Sequence, residues 1–324
     1  MFAALVRNET LKVLRRKRFL IVVAIMLAIL TLVSYAEYQQ LKQARKTNWR
    51  AELQERIART QNRLRRSNSN DQWIRSMRIE INRLQFYLDR DINPESPTAP
   101  LVVRTFASIA GILLLPLLMA ILGSDIVSAE NAEGTDKLLL TRPVRRWKIL
   151  TAKLVTLWIF ATLTLITGAM IAYAVTAPVL PAGGWDMPMF TGFTLDADAV
   201  KLDQIRQLPL WRDTIIAFGL EWYALLTVAA ICLLLSVIFK SSAASIGTML
   251  GFLIGGTLLT QIAPNWTAGK YLFVSGLPLP SYYTGRAMPY DGMSMSFCII
   301  LVGVWAIAAL IGAYTLFTRR DVFG

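Results

Sequence analysis

The chain has no histidine in its 324 residues and only two cysteines. The first absence excludes His-ligated metal sites, His general bases and the Ser-His and Cys-His nucleophile pairs. The second excludes a disulfide framework. Cys232 and Cys298 both fall inside apolar runs, where a free thiol behaves as a small hydrophobe. Charge is scarce as well: Asp, Glu, Lys and Arg make up 17% of the residues, against roughly 25% in soluble domains. No G-x-x-x-x-G-K-[ST] phosphate loop occurs, because Gly269-Lys270 has Pro264 where the first glycine would stand.

What is abundant is apolar surface, 55% of the chain. Stretches of about 18 or more apolar residues are long enough to cross a hydrocarbon core of about 30 Å as helices. Such stretches run over Phe19–Ala36, Val102–Gly123, Leu154–Pro178, Thr214–Phe239, Ala243–Ala263 and Met295–Phe317. The fourth and fifth are joined only by Lys240-Ser241-Ser242, which makes them a tight helical hairpin. The expected fold is an all-α membrane protein with six transmembrane helices.

The formal charge of +13 does not imply a nucleic-acid partner, because the basic residues sit at the edges of apolar runs and along one polar segment instead of forming one face. Short loops rich in Lys and Arg stay in the cytoplasm. Arg7, Lys12, Arg15, Arg16, Lys17 and Arg18 precede the first span. Lys137, Arg142, Arg145, Arg146, Lys148 and Lys153 lie between the second and third, and Arg319-Arg320 closes the last. Six spans with both termini cytoplasmic put all three groups on one side. The basic segment 37–100 is compatible with the other side, since loops beyond about 60 residues translocate largely regardless of charge.

Residues 1–18 space Phe2, Leu5, Leu11 and Leu14 among basic residues, as suits an interfacial helix on an anionic membrane surface. Ser34-Tyr35-Ala36 resembles a signal-peptide cleavage site, but the preceding run exceeds the usual 7–15 apolar residues and reads as an uncleaved anchor. In residues 37–92, Leu53, Ile57, Thr60 and Leu64 recur at heptad spacing, as do Ile74, Met77, Ile81, Leu84 and Leu88. Ser67-Asn68-Ser69-Asn70 between them is a turn signal. The pattern predicts an extracytoplasmic helical hairpin between spans one and two, followed by a stiff Pro-rich linker over 93–100. Segments 179–213 and 264–294 read as extracytoplasmic loops, and 318–324 as a cytoplasmic tail.

Residues 124–148 are too short for a domain and too patterned for a plain turn. Asp125, Glu130 and Glu133 come first, then Gly134-Thr135, Leu138-Leu139-Leu140, and Thr141-Arg142-Pro143. A helix through the leucines should stop before Pro143, since proline disfavours helical geometry in the residue before it. A short amphipathic helix of this kind suits either a cleft on a cytoplasmic partner or the headgroup layer.

Three further features stand out. Gly247, Gly251 and Gly255 form a four-residue repeat in the fifth span, suited to close helix packing either within the chain or between two copies. Glu221, about two turns into the fourth span, reads either as an intramembrane functional group or as an interfacial residue beside Trp222 and Tyr223. Pro116 predicts a kink in the second span.

Glu130, Gly134-Thr135, Leu138-Leu139 and Pro143-Val144 with Arg146 resemble the E, GT, LL and PVSR elements that permease subunits of type-2 ATP-binding-cassette (ABC) exporters carry after their second span. The resemblance extends to a basic N-terminal helix with Glu9, six spans, and a C-terminal Phe317-Thr318-Arg319-Arg320-Asp321. It departs at Arg145, where a serine is common, and in the length of residues 37–92. It implies a coupling region over 124–143 that contacts a separate ATPase through Glu130, Glu133, Gly134, Thr135, Leu138, Leu139, Pro143 and Arg146. It further implies two copies of that ATPase, which bind ATP and magnesium, a second permease subunit (a homodimer or heterodimer), and residence in the bacterial cell membrane. Two other classes compete with transport: a membrane scaffold or mechanotransmitting subunit acting through the hairpin on an extracytoplasmic protein, and an intramembrane enzyme using Asp125 and Glu130.

Overall fold

A computed structural model describes residues 2–44, 48–66, 71–93, 98–132, 145–192, 195–196, 199–200, 205–263, 266–285, 288–290 and 292–319. The N-terminal helix α1 (Phe2–Arg15) turns Glu9 and Val13 inward. Past its end at Arg15, Lys17 has a φ of 55°, the left-handed conformation common after a helix C-terminus. Helix α2 (Arg18–Ala44) follows at once. It holds no Gly or Pro, so helix propagation carries it beyond Ala36, where the apolar run ends.

Helices α3 (Trp49–Arg66) and α4 (Asp71–Asp89) pack on each other through Leu53, Ile57, Ile81 and Leu84, flanked by Trp49, Leu64 and Leu88. Arg50–Asp91 at 2.6 Å and Arg56–Glu80 at 3.2 Å cross between the two arms and set them antiparallel. Segment 179–213, read from sequence as a plain loop, contains two antiparallel ribbons. Strand β1 (Pro188–Thr191) pairs with β4 (Arg206–Pro209), and β2 (Leu195–Asp196) with β3 (Ala199–Val200). Tyr87 of α4 and Phe190 of β1 are both buried, their rings edge to face at 5.2 Å, and the Tyr87 hydroxyl accepts from the Phe190 N–H. The hairpin is thereby docked on the strand that pairs with the lead-in to the next long helix.

The second apolar run is broken. Helix α5 (Ala99–Ala110) starts at Thr98, whose side chain accepts from Leu101 N–H. Helix α6 begins at Leu114 after a 65° bend. The break falls at 111–113 rather than at Pro116 itself, because the proline ring clashes with the carbonyl four residues back and removes its hydrogen-bond donor. Past Gly123 a turn leads into α7 (Ser128–Ala132).

The remaining long helices are α8 (Arg146–Thr176), α9 (Leu210–Ile238), α10 (Ser242–Ile262) and α13 (Met295–Arg319). Helices α8 and α9 start earlier than the apolar runs at Leu154 and Thr214 suggest, again because a helix extends through flanking polar residues once nucleated. Among the described residues five helices are long and apolar enough to cross a membrane, or six if the bent pair is one span. Helix α9 is the centre of the bundle: 72% of its apolar window is buried, against 17–44% in the other four.

The bent pair runs parallel to α9 along almost its whole length. Arg104 meets Asp213, Gly111 meets Glu221, Ser124 meets Cys232, and the Val127 N–H meets Ser236. The pair therefore reaches from the hairpin end of the bundle to the end that carries α1. Gly168 of α8 leaves room for the Phe106 ring, whose nearest atom would lie 2.5 Å from an added Cβ.

Segment 264–294, expected as a loop, re-enters the bundle. Helices α11 (Phe273–Gly276) and α12 (Leu279–Tyr283), with Leu277 between them, contribute Phe273, Val274, Leu277, Leu279 and Tyr282 to the core. Prolines at 278 and 280 break this apolar run into pieces too short to span.

Candidate functional site

The root of the 124–148 segment is gripped by four helices. Ser236 of α9 accepts from the N–H groups of Val127 (2.8 Å) and Ser128 (2.9 Å), which satisfies two donors at the start of α7. Ser245 of α10 donates to the Ser124 carbonyl. Lys153 of α8 donates to the Ile126 carbonyl at 3.0 Å, and Arg16 and Arg18 of the N-terminal segment pair with buried Asp125.

Around this root sits a closed ring of four charges. Glu9 accepts from Lys12 (2.8 Å) and Lys153 (2.7 Å), and Glu130 accepts from Lys12 (2.6 Å) and Lys153 (2.8 Å). The ring is electrically neutral and ties α1, α7 and α8 together. Lys153 has no exposed surface, so its charge depends on the two carboxylates. Glu130, expected at an ATPase contact, is turned into this ring and is 8% exposed. Glu133, Gly134, Thr135, Leu138, Leu139 and Pro143 lie outside the described residues. Arg146 opens α8 and donates to the Thr318 carbonyl at 3.2 Å, joining the segment to the last helix.

Burial by itself would lower the Lys12 ammonium, but Glu130 and then Glu9 outweigh it and hold it above its ordinary value. A raised ammonium contributes stability that is fully present below the unfolded value of about 10.4 and is lost as pH rises through the higher folded value. A spin label placed at Phe2 is therefore expected to gain mobility only above about pH 10.4, and Lys12→Met should remove that step. Unchanged mobility across the alkaline range would show that Lys12 does not hold α1.

Further charged side chains are buried elsewhere in the bundle. At the hairpin end Arg104 pairs with Asp213 and donates to Ser108, and both charged residues are buried. Asp213 and Lys153 did not stand out in the sequence as site residues, because each lies within a turn or two of a helix end, where charges are ordinary. Deeper in, Glu221 is the twelfth of the 29 residues of α9 and has no exposed surface. Its neighbour Trp222 is exposed, while Glu221 faces inward, onto Gly111 at the helix break. Gly247, Gly251 and Gly255 present an open face: an added Cβ at any of them meets nothing within 4 Å.

A family model described as ABC-2 family transporter protein matches residues 3–322. The uncharacterized protein YhcI of Bacillus subtilis (strain 168) is 24% identical over 322 residues, which are 98% of each chain. The uncharacterized membrane protein YdbK of the same organism is 26% identical over 214 residues, 65% of this chain and 78% of its own.

Proposed function

The chain belongs to the ABC-2 family of transporter proteins, and from that premise we propose that this multi-pass permease subunit couples ATP hydrolysis by a separate ATPase to movement of a substrate across or out of the membrane. The ATPase is present in two copies and binds the ATP and magnesium, since this chain has no phosphate loop of its own. The end of the bundle that carries α1 and both termini faces the cytoplasm of the bacterial cell, and the hairpin faces outward.

The observation that carries this reading is the grip on residues 124–130. A partner pressing on Glu133, Gly134, Thr135, Leu138, Leu139, Pro143 and Arg146 would meet a root bonded to α1, α8, α9 and α10, so a push there moves several helices together instead of bending one loop. Glu130 acts in this scheme by anchoring the segment, while the residues beyond it make the contact. The open glycine face of α10 is the surface for the second permease, identical or related.

The test is co-expression with ATPases encoded beside the gene, followed by purification and measurement of bound ATPase and of ATP hydrolysis. Leu138→Asp places a charge in the proposed contact and is expected to weaken ATPase binding by at least about tenfold, the scale of losing one interface anchor. A folded wild-type chain that retains no ATPase under these conditions would sink the proposal.

The docking of Tyr87 on Phe190 favours a second reading, in which the hairpin is a rigid lever that transmits the same motion to an extracytoplasmic protein. That reading shares the ATPase but predicts hydrolysis coupled to the outer partner without a transported substrate.

A further inference from the structure

We propose that Glu221 is an exchangeable proton-binding site: a carboxylic acid that is protonated in the conformation described here and loses its proton when the break between α5 and α6 opens to water. The proposal is independent of the ATPase contact.

Both carboxyl oxygens of Glu221 are buried and neither has a hydrogen-bond partner among the described residues. An isolated carboxylate in such surroundings is strongly disfavoured, so the group needs a proton or a cation. Among the described residues no Lys or Arg pairs with it. On α9 itself Asp213 is paired with Arg104 of α5, and Arg212 lies beside the Trp211 ring. On α8 the basic residues are confined to the first turns, where Lys153 is committed to Glu9 and Glu130 and Arg146 to Thr318. Helices α6, α10 and α12 carry no charged residue, and α13 has only Arg319, in its last turn. Tyr223 of α9 and Tyr282 of α12 are occupied as well, donating to the carbonyls of Ile299 and Ser275.

The backbone supplies more negative potential. The carboxyl occupies the space left by Gly111: an added Cβ there would lie 2.0 Å from Glu221 Oε2 and 2.8 Å from the Ala107 carbonyl oxygen. Gly111 is the cap of α5, and its N–H turns to Ile109 instead of continuing the helix. The Ala107 carbonyl oxygen and the carboxyl therefore crowd the same point. Such an arrangement repels a bare carboxylate and attracts a positive charge, as broken helices do around coupling ions in other transporters. Loading takes one proton from water onto a carboxylate oxygen, and release returns it to water. The break lies between the hairpin end and the 124–130 root, so a change of bend angle is the step that exposes the group.

The experiment uses the full chain in phospholipid nanodiscs and dicyclohexylcarbodiimide, an apolar reagent that adds to protonated carboxyl groups in apolar surroundings. Peptide mass spectrometry reads the adduct. The expected result at neutral pH is an adduct on the Glu221 peptide, its progressive loss as pH rises, and its complete loss in Glu221→Gln. That variant should fold at wild-type yield, because it replaces a neutral group by a neutral isostere. An unmodified Glu221 in a chain that still unfolds cooperatively on heating would overturn the proposal. Protection by sodium chloride but not by choline chloride at the same pH would also overturn it, by assigning the site to a metal cation.

Discussion

Lys153→Met is expected to cost about 3–5 kcal/mol of stability, the scale of removing one partner from a buried ion pair. The methionine fills similar volume, so packing changes little, and the loss is electrostatic. Wild type balances Glu9 and Glu130 against Lys12 and Lys153. Without Lys153 the two buried carboxylates lose one of the ring's two ammonium groups, and the Ile126 carbonyl loses its donor. The thermal midpoint of the purified protein should fall, and α1 should become sensitive to protease because half of its tether to the bundle is gone. Adding Glu130→Gln restores charge balance, so the double variant should be more stable than the sum of the two single changes. A Lys153→Met protein that unfolds at the wild-type temperature, with α1 still protected, would show that water reaches the ring and screens it.

Arg104→Met should be comparably damaging at the opposite end of the bundle. It strands Asp213, which has no exposed surface, without its partner. Yet the pair is imperfect: Arg104 Nη2 and Asp213 Oδ1 have no hydrogen-bond partner. A buried pair with unmet hydrogen bonds returns only part of its desolvation cost. Arg104→Met is thus expected to lose about 3–5 kcal/mol, whereas Arg104→Met with Asp213→Leu should recover to within about 1 kcal/mol of wild type or better. Measuring unfolding of the single and double variants in the same detergent decides the matter. A double variant as unstable as the single one would mean that the pair holds the α5–α9 contact by more than charge. A double variant that folds well yet fails in transport would assign the pair to function.

Much of the architecture is legible in local pattern. The hairpin seam through Leu53, Ile57, Leu64, Ile81, Leu84 and Leu88 follows from heptad spacing, because the face a residue occupies on a helix depends only on its position along that helix. Ile74 and Met77 share the pattern but are only partly buried, so periodicity marks the face and not the depth. The broken second span was half legible: Pro116 announces a defect, but its location at 111–113 follows from the clash of the ring with the preceding turn. The ribbons of 179–213 and the re-entry of α11 and α12 were not legible. Their strands are four residues or fewer and their helices four or five, too short to leave a period.

The candidate site divides the same way. Glu130 stands out because the motif around it does. Lys153 looks like one more basic residue flanking a span, and only the fold shows it buried between Glu9, 144 positions away, and Glu130. Glu221 was visible as an acid in an apolar run, but whether it faced lipid headgroups or the bundle depended on what packs against α9. By itself the sequence determined the membrane class, the helical content, the hairpin and the lack of a phosphate loop, because hydrophobic burial and helix period act over a few neighbouring residues. The tertiary structure alone decided which charges are buried and with what partners, because an ion pair or an orphaned carboxyl is defined by distances between segments that no local pattern encodes.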